Sequence, residues 1–365
     1  MIRNPFSRKK GLPGWLKVFS FRLQGRDPDD PAQLLSGYEG FIFACVNLIA
    51  SRVAACRLRL WRSDGTRETE VANHPLLELV HEPNPYMTGY TFLYLTESWM
   101  ELSGNAYWVK VGPEMWPLPP QWVRMVPGDW PRVIHGYIYT PPWLPDGLAF
   151  SDEEVLHFKR PNPQDPFYYG ASTLRAAFGE TEYWRLANEY RTKKLENGGV
   201  PPAAVILSQE ALPEDLDRIR AEFERLHAGT RNAGKPAILP PGTDVRLVEI
   251  PAVDREFAEA LRLTRENILA IFGVPASKLG LVTDVNRANA EANDLTFLNE
   301  VIRPRLRFLE DVMNSELSYL YGEDLRLGFD DPVQRDWEFS LRKVETLVSL
   351  GVMSPEEARR EMGLE

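Results

Sequence analysis

The hydrophobic pattern is strongest between residues 252 and 321. Phe257, Leu261, Thr264, Ile268 and Phe272 recur at helical spacing and predict a helix that starts near Asp254, read as its N-cap. Gly273 and Pro275 end it. A second helix is expected over Asn289 to Tyr321, with Leu295, Leu298, Ile302, Leu306 and Leu309 opening its apolar stripe. Met313, Leu317 and Leu320 continue that stripe. Pro304 falls within it, where it removes a backbone donor and crowds the preceding turn, so a kink is expected there. Residues 274–288, between the two helices, are too many for a tight turn and too apolar for a simple tether.

The rest of the chain alternates helical and strand patterns. Helices are expected over Gly37–Ala55, His74–Val80 and Thr88–Leu102, the last stopped by Gly104. Strands are expected at Arg57–Arg62, Ala106–Val111, Trp122–Val126, Arg132–Thr140 and Val155–Arg160. Proline-rich stretches at Trp116–Pro120 and Pro141–Pro145 read as loops, and 161–170 as a linker. The class is therefore α+β. A helix over Ser172–Glu196 leads into a small β-α-β unit: strand Ala203–Leu207, helix Pro213–His227, and strands Ala237–Leu239 and Val245–Ile250. An insertion between two helices running side by side lets both of its ends meet. Leu325–Phe329 reads as a strand, Asp331-Pro332 as the start of a helix through Leu350, and Ser354-Pro355-Glu356-Glu357 as a capping box.

Composition narrows the function. The chain has 365 residues and a formal charge of −10, which argues against a whole-surface nucleic-acid binder. No apolar run is long enough to cross a bilayer. The basic segment Met1–Arg26 lacks the features of a signal peptide and reads as a frayed tail, with a short amphipathic docking segment as the alternative. Cys45 and Cys56 match no metal or redox spacing and are expected as buried free thiols in a reducing setting.

The candidate chemistry is thin. Gly229 to Lys235 fits the letters of a phosphate-binding loop, but a helix is expected before it, a strand after it, and Pro236 stands where the metal-holding hydroxyl belongs. A basic turn carrying Arg231 and Lys235 fits better, with a nucleic-acid-processing NTPase as the alternative. The five histidines have no metal-site spacing, no nucleophile elbow is present, and capping or solvation accounts for Asp152-Glu153-Glu154 and Asp330-Asp331. No catalytic residue, metal or cofactor is assigned. Tyr168, Tyr169, Tyr183, Trp184 and Tyr190 read as helix packing or a subunit interface.

Several segments in order resemble the portal (head-to-tail connector) proteins of tailed bacteriophages. They are His74-Pro-Leu-Leu77 with Glu82-Pro-Asn-Pro85, Gly104-Asn-Ala-Tyr107, and Tyr169-Gly-Ala-Ser172 opening a helix that ends Glu196-Asn-Gly198. Asn232-Ala-Gly-Lys235, Ile271-Phe-Gly-Val-Pro275 with Leu279-Gly280, the Asn-rich start of the kinked helix, and Gly351-Val-Met-Ser-Pro-Glu-Glu-Ala358 continue the series. The resemblance implies a non-enzymatic ring of about twelve subunits at one capsid vertex of the virion, assembled in the host cytoplasm. Double-stranded DNA would pass through it. The terminase large subunit, the major capsid protein and head-completion or tail adaptor proteins would dock on it, with no membrane partner; a non-ring adaptor or scaffold is the other alternative.

On the family plan, residues 1–30 would be a flexible tail, 31–170 and 289–331 the α+β wing, and 171–198 and 252–273 a two-helix stem. Residues 199–251 would be the clip insertion, 274–288 the tunnel loop, and 332–365 a helical crown. Lys278, Leu279, Leu281 and Val282 would face DNA from the loop, followed by Asp284, Val285, Asn286 and Arg287. Arg231, Asn232 and Lys235 at the clip tip would meet the motor or adaptors.

Overall fold

The computed structural model describes residues 30–65, 68–196, 203–206, 221, 244–247, 253–281, 287–318, 321, 324–333 and 337–361. Asp30 caps α1 (Pro31–Ser36), a helix too short for periodicity to reveal. In α2 (Gly40–Ala55), Ile42, Cys45, Val46, Ile49 and Val53 form the buried face. Leu58 and Leu60 point inward from β1 (Leu58–Ser63), as alternation requires, and β2 (Glu68–Glu70) pairs along its edge. His74 caps α3 (Pro75–His81) by accepting from the Leu76 amide through Nδ1, and Pro75 takes the first turn, where its missing donor costs nothing. Thr88 caps α4 (Gly89–Ser103), which ends on the left-handed Gly104.

Six strands follow: β3 (Asn105–Val111), β4 (Glu114–Leu118), β5 (Val123–Pro127), β6 (Ile134–Tyr139), β7 (Leu148–Ser151) and β8 (Val155–Lys159). They form two antiparallel sheets, ordered β4-β3-β8 and β5-β6-β7. The expected loop at Trp116–Pro120 is corrected, since most of it belongs to β4. Pro117 is tolerated because β4 is an edge strand. β2 and β7 are short and mostly exposed, so they carry no apolar alternation to read. Tyr107, Val109, Leu118, Val123, Met125, Tyr137 and Val155 build a small core between the two sheets.

The helix expected over 171–198 is two pieces, α5 (Thr173–Ala176) and α6 (Phe178–Glu196). They part at Ala177, whose amide bonds both the Thr173 and the Leu174 carbonyls and tightens the turn. Next, β9 (Ala203–Ile206) and β10 (Asp244–Leu247) are antiparallel, with Ala203 opposite Leu247. That register makes the ends of the insertion meet. Its expected helix, apart from the helical Ala221, and its strand 237–239 lie outside the described residues. In α7 (Val253–Phe272), Asp254 lies inside the first turn rather than capping it. Thr264, Ile268 and Phe272 are buried as expected.

The kinked helix is composite. α8 (Arg287–Phe297) runs into a π-helical turn, Leu298–Ile302, then α9 (Arg303–Met313) and a second π turn, Asn314–Ser318. Pro304 thus sits in the first turn of α9, and the widened turn before it relieves the ring's crowding, which inside a regular helix costs roughly 3 kcal/mol. The wide turn also shifts the apolar register. Phe297, Val301 and Ile302 are buried while Leu295 is 48% exposed, correcting its place in the stripe.

β11 (Leu325–Phe329) completes the sheet β11-β1-β2, with Leu60 opposite Leu327. The helix expected from Asp331-Pro332 is corrected to α10 (Trp337–Ser349), because Asp331 is engaged by Arg303 and by the Val333 amide. In α11 (Pro355–Glu361) the capping box is made: Glu357 accepts from the Ser354 amide and Ser354 Oγ from the Glu357 amide. One core joins α2, α4, β1 and α9, so residues 34–177 and 268–327 bury their apolar faces together. Leu306, Leu309 and Met313 each contribute roughly 1.5–3 kcal/mol to it.

Candidate functional site

The connection between α7 and α8 is anchored over its first half. Gly273 (φ 69°) ends α7, its amide bonding the Ala270 carbonyl while the Val274 amide reaches Leu269, a two-bond left-handed cap. Val274 is then buried, and Pro275 starts a single 3₁₀ turn, Ala276–Leu279, closed by the left-handed Gly280. Leu279 and Leu281 lie half-buried against the main core, and Lys278 pairs with Asp294 of α8. Of the residues expected to face DNA, these three are therefore held by the protein itself. Val282, Asp284, Val285 and Asn286 lie outside the described residues, and Arg287 already belongs to α8, so the loop is shorter than 274–288. Arg231, Asn232 and Lys235 lie outside the described residues too.

Behind this connection is a charged cluster that periodicity does not reveal. Glu97 and Glu101, one turn apart on α4, are 2% and 0% exposed. Arg160, just after β8, and Arg305, on α9, both bond Glu101 Oε1 at 2.6 Å. Arg160 also donates to Thr173 Oγ1 at the start of α5, and Arg305 Nη1 to the Val301 carbonyl at 2.7 Å. Glu97 Oε1 lies 3.2 Å from Arg305 Nε without a directed hydrogen bond. Burial, reinforced by the neighbouring Glu101 charge, pushes the Glu97 carboxyl up to about 8, so it holds a proton at neutral pH. Burial works in the same direction on Glu101, but Arg160 and Arg305 outweigh it and hold that carboxyl well below the usual range. The cluster ties α4, β8, α5 and α9 together. Removing either arginine leaves buried charge uncompensated, a loss of about 3–5 kcal/mol. The available signal was two glutamates four apart on an otherwise apolar helix.

Two of the segments that carry the resemblance meet in space. Asn105 Oδ1 accepts from the Gly170 amide at 2.8 Å and faces His157 Nε2 at 3.0 Å, while Ser172 Oγ donates to the Leu102 carbonyl. His157 stacks on Tyr107, and burial, then Lys159, lowers it to about 3. It is a neutral packing residue. Asn84, from Glu82-Pro-Asn-Pro85, donates to the Met115 carbonyl and fixes that turn on β4.

The acidic runs bind arginines more than they cap. Asp152 and Glu153 hold Arg132, and Asp330 holds Arg59. Cys45 is buried, but Cys56 is only half-buried and donates to the Arg52 carbonyl, correcting the expectation of two buried thiols. Phe41 meets Trp184 edge-on, whereas Tyr183 and Tyr190 stay exposed. Among the described residues no group of His, Cys, Asp and Glu is arranged for a metal, and no helix is long and apolar enough to cross a membrane.

The described residues form a mixed helix-and-sheet chain with a main core and a second, smaller one between two of its sheets. The chain belongs to the phage portal protein family, whose model matches residues 41–363. It is 25% identical over 292 residues to the probable portal protein of Streptomyces phage phiC31, covering 75% of this chain and 62% of that one. An uncharacterized protein of Rickettsia bellii (strain RML369-C) is 28% identical over 301 residues, covering 79% and 77%. The neck of a native gene transfer agent particle computed with C12 symmetry aligns with a TM-score of 0.64 at 25% identity, over 92% of this chain and 94% of that one. An HK97 family phage portal protein from Corynebacterium diphtheriae shares the fold, with a TM-score of 0.60 at 17% identity over 82% and 94%. The chain is a virion protein of the capsid vertex, and its function is that of a portal ring.

Proposed function

We propose that copies of this chain, about twelve, stand side by side around a channel through which double-stranded DNA enters and leaves the capsid. The carrying observation is the alignment, nearly end to end on both chains, with a particle neck of C12 symmetry. The channel is passive, and the chain performs no bond-breaking chemistry of its own. A net charge of −10 supports this, since tight phosphate contacts would pin the duplex where a repelling wall lets it slide.

In this reading the core of 31–170 and 289–331 is the wing, and 171–198 with 252–273 the stem. The pairing of Asn267 with Glu180 at 3.0 Å between α7 and α6 supports the two-helix stem. Residues 199–251 form the clip, where Arg231, Asn232 and Lys235 meet the terminase large subunit or tail adaptors. The wing meets the major capsid protein, 332–365 form the crown, and the DNA-facing part of the tunnel loop is centred on 282–286. Electron microscopy of the purified protein tests the ring: annular particles with a central opening are expected. Compact single particles at every concentration would refute it. DNA binding should be weak and strongly salt-sensitive, and tight binding at physiological salt would refute the passive channel.

A further inference from the structure

The buried cluster and the loop anchor are connected through one residue. Arg305 reaches from Glu101 to the Val301 carbonyl, inside the π turn Leu298–Ile302. The Val301 side chain faces Gly273, the residue that launches the loop: a Cβ there would lie 2.9 Å from Val301 Cγ2. Gly273 also needs its positive φ to turn the chain out of α7. A π turn differs from the regular helix by a whole change of hydrogen-bond partner, i→i+5 in place of i→i+4, so any rewinding of it is a discrete step.

We propose that Arg305 is a positioning residue that couples the α4 carboxylate pair to the tunnel loop, acting through Val301 in the π turn and Gly273 at the end of α7. When α9 moves against α4, the Arg305 fork must leave either Glu101 or the Val301 carbonyl. Loss of the carbonyl bond frees the π turn to rewind and withdraws Val301 from Gly273. The loop anchor, Val274 to Leu281, then loses its fixed start. Among the described residues three other ionisable groups face the pair: Arg160, Arg305, and the Cys45 thiol on α2, which burial and the Glu101 charge push up to about 12 and keep neutral. Neutral Glu97 leaves Glu101 as the one anion shared by two arginines, which makes that oxygen the pivot. The coupling rests on the DNA-facing reading of the loop only for its consequence in DNA passage.

The test is amide hydrogen exchange on the assembled full-length protein at one pH. Arg305→Lys keeps the charge but loses the fork. It should speed exchange of residues 276–281 about tenfold while β3 and β8 stay within about twofold of wild type. Val301→Ala removes the contact with Gly273, and in that background Arg305→Lys should no longer change the loop. Unchanged loop exchange in Arg305→Lys, or an equal effect in both backgrounds, would overturn the proposal. Should Arg305→Lys fail to fold, Gly273→Ala takes its place: it should loosen the same amides, and adding Val301→Ala should tighten them again. No recovery would overturn the coupling. DNA packaging is scored separately. Normal packaging with a loosened loop would count against the DNA-facing reading and leave the coupling standing.

Discussion

Gly104 and Gly170 meet back to back: a Cβ on Gly170 would lie 2.0 Å from the Gly104 carbonyl oxygen, and one on Gly104 would lie 2.6 Å from Gly170. This contact lets the Arg160 amide bond Gly104 and the Gly170 amide bond Asn105, which seats the start of α5 against the end of α4. Gly170→Ala must move backbone on both sides. Its cost should be about 3 kcal/mol or more, or no folded protein at all. Gly280→Ala, at φ 68° with nothing within 4 Å, should lose only about 1 kcal/mol. Urea unfolding of the two variants measures the contrast, and equal losses would contradict the close approach.

The Glu97 carboxyl gives stability a defined pH dependence. Its folded value, about 8, lies above the ordinary carboxylate range, so the folded state holds a proton that the unfolded chain releases. Its contribution is complete below the unfolded value and is lost as pH rises from there through about 8. Glu101 runs the other way: it is held low, so its contribution is present above the ordinary range and lost in acid. Glu97→Gln mimics the protonated form. Relative to that variant, wild type should lose stability steadily between about pH 5 and about pH 9 in urea midpoints. A constant difference would show that Glu97 is charged in the folded protein.

These residues also mark where sequence pattern stops being informative. The long helices and the Ser354–Glu357 capping box were legible because their partners lie within a few residues. The partners of Glu101, by contrast, are Arg160 and Arg305, 59 and 204 positions away, and only the fold brings them together. Leu295 looked like core because a stripe assumes one period, and the π turn changes that period. β4 hid behind Pro117, since tolerance of proline depends on being at the edge of a sheet. The break between the two helices was legible, but its first half was not readable as anchored, because apolar Leu279 and Leu281 read equally well as contacts to a partner or to their own core.

The capping box should matter locally. Ser354→Ala removes the acceptor for the Glu357 amide and should weaken α11 by about 1 kcal/mol. Exchange of amides 358–361 should quicken while the urea midpoint of the main core stays put. A global shift would mean that α11 is part of the main cooperative unit.

Tyr183, Leu186 and Tyr190 lie three and four residues apart on α6, each 40% or more exposed. A solvated helix face has no use for three large apolar residues in one stripe, whereas a ring must present such a surface to its neighbour. Ala187, on the same helix, is buried, so the stripe is not the face that meets α7 and the core. Leu186→Arg should therefore leave the monomer within about 0.5 kcal/mol of wild type, because the new side chain reaches water. In the ring the same arginine would be buried without a partner, and assembly should fail or weaken at least tenfold, roughly 1.4 kcal/mol for each interface. Native mass spectrometry and electron microscopy read the assembly, and circular dichroism the fold. Rings formed by Leu186→Arg at wild-type concentration would remove this stripe from the interface and place the neighbour on another face of the subunit.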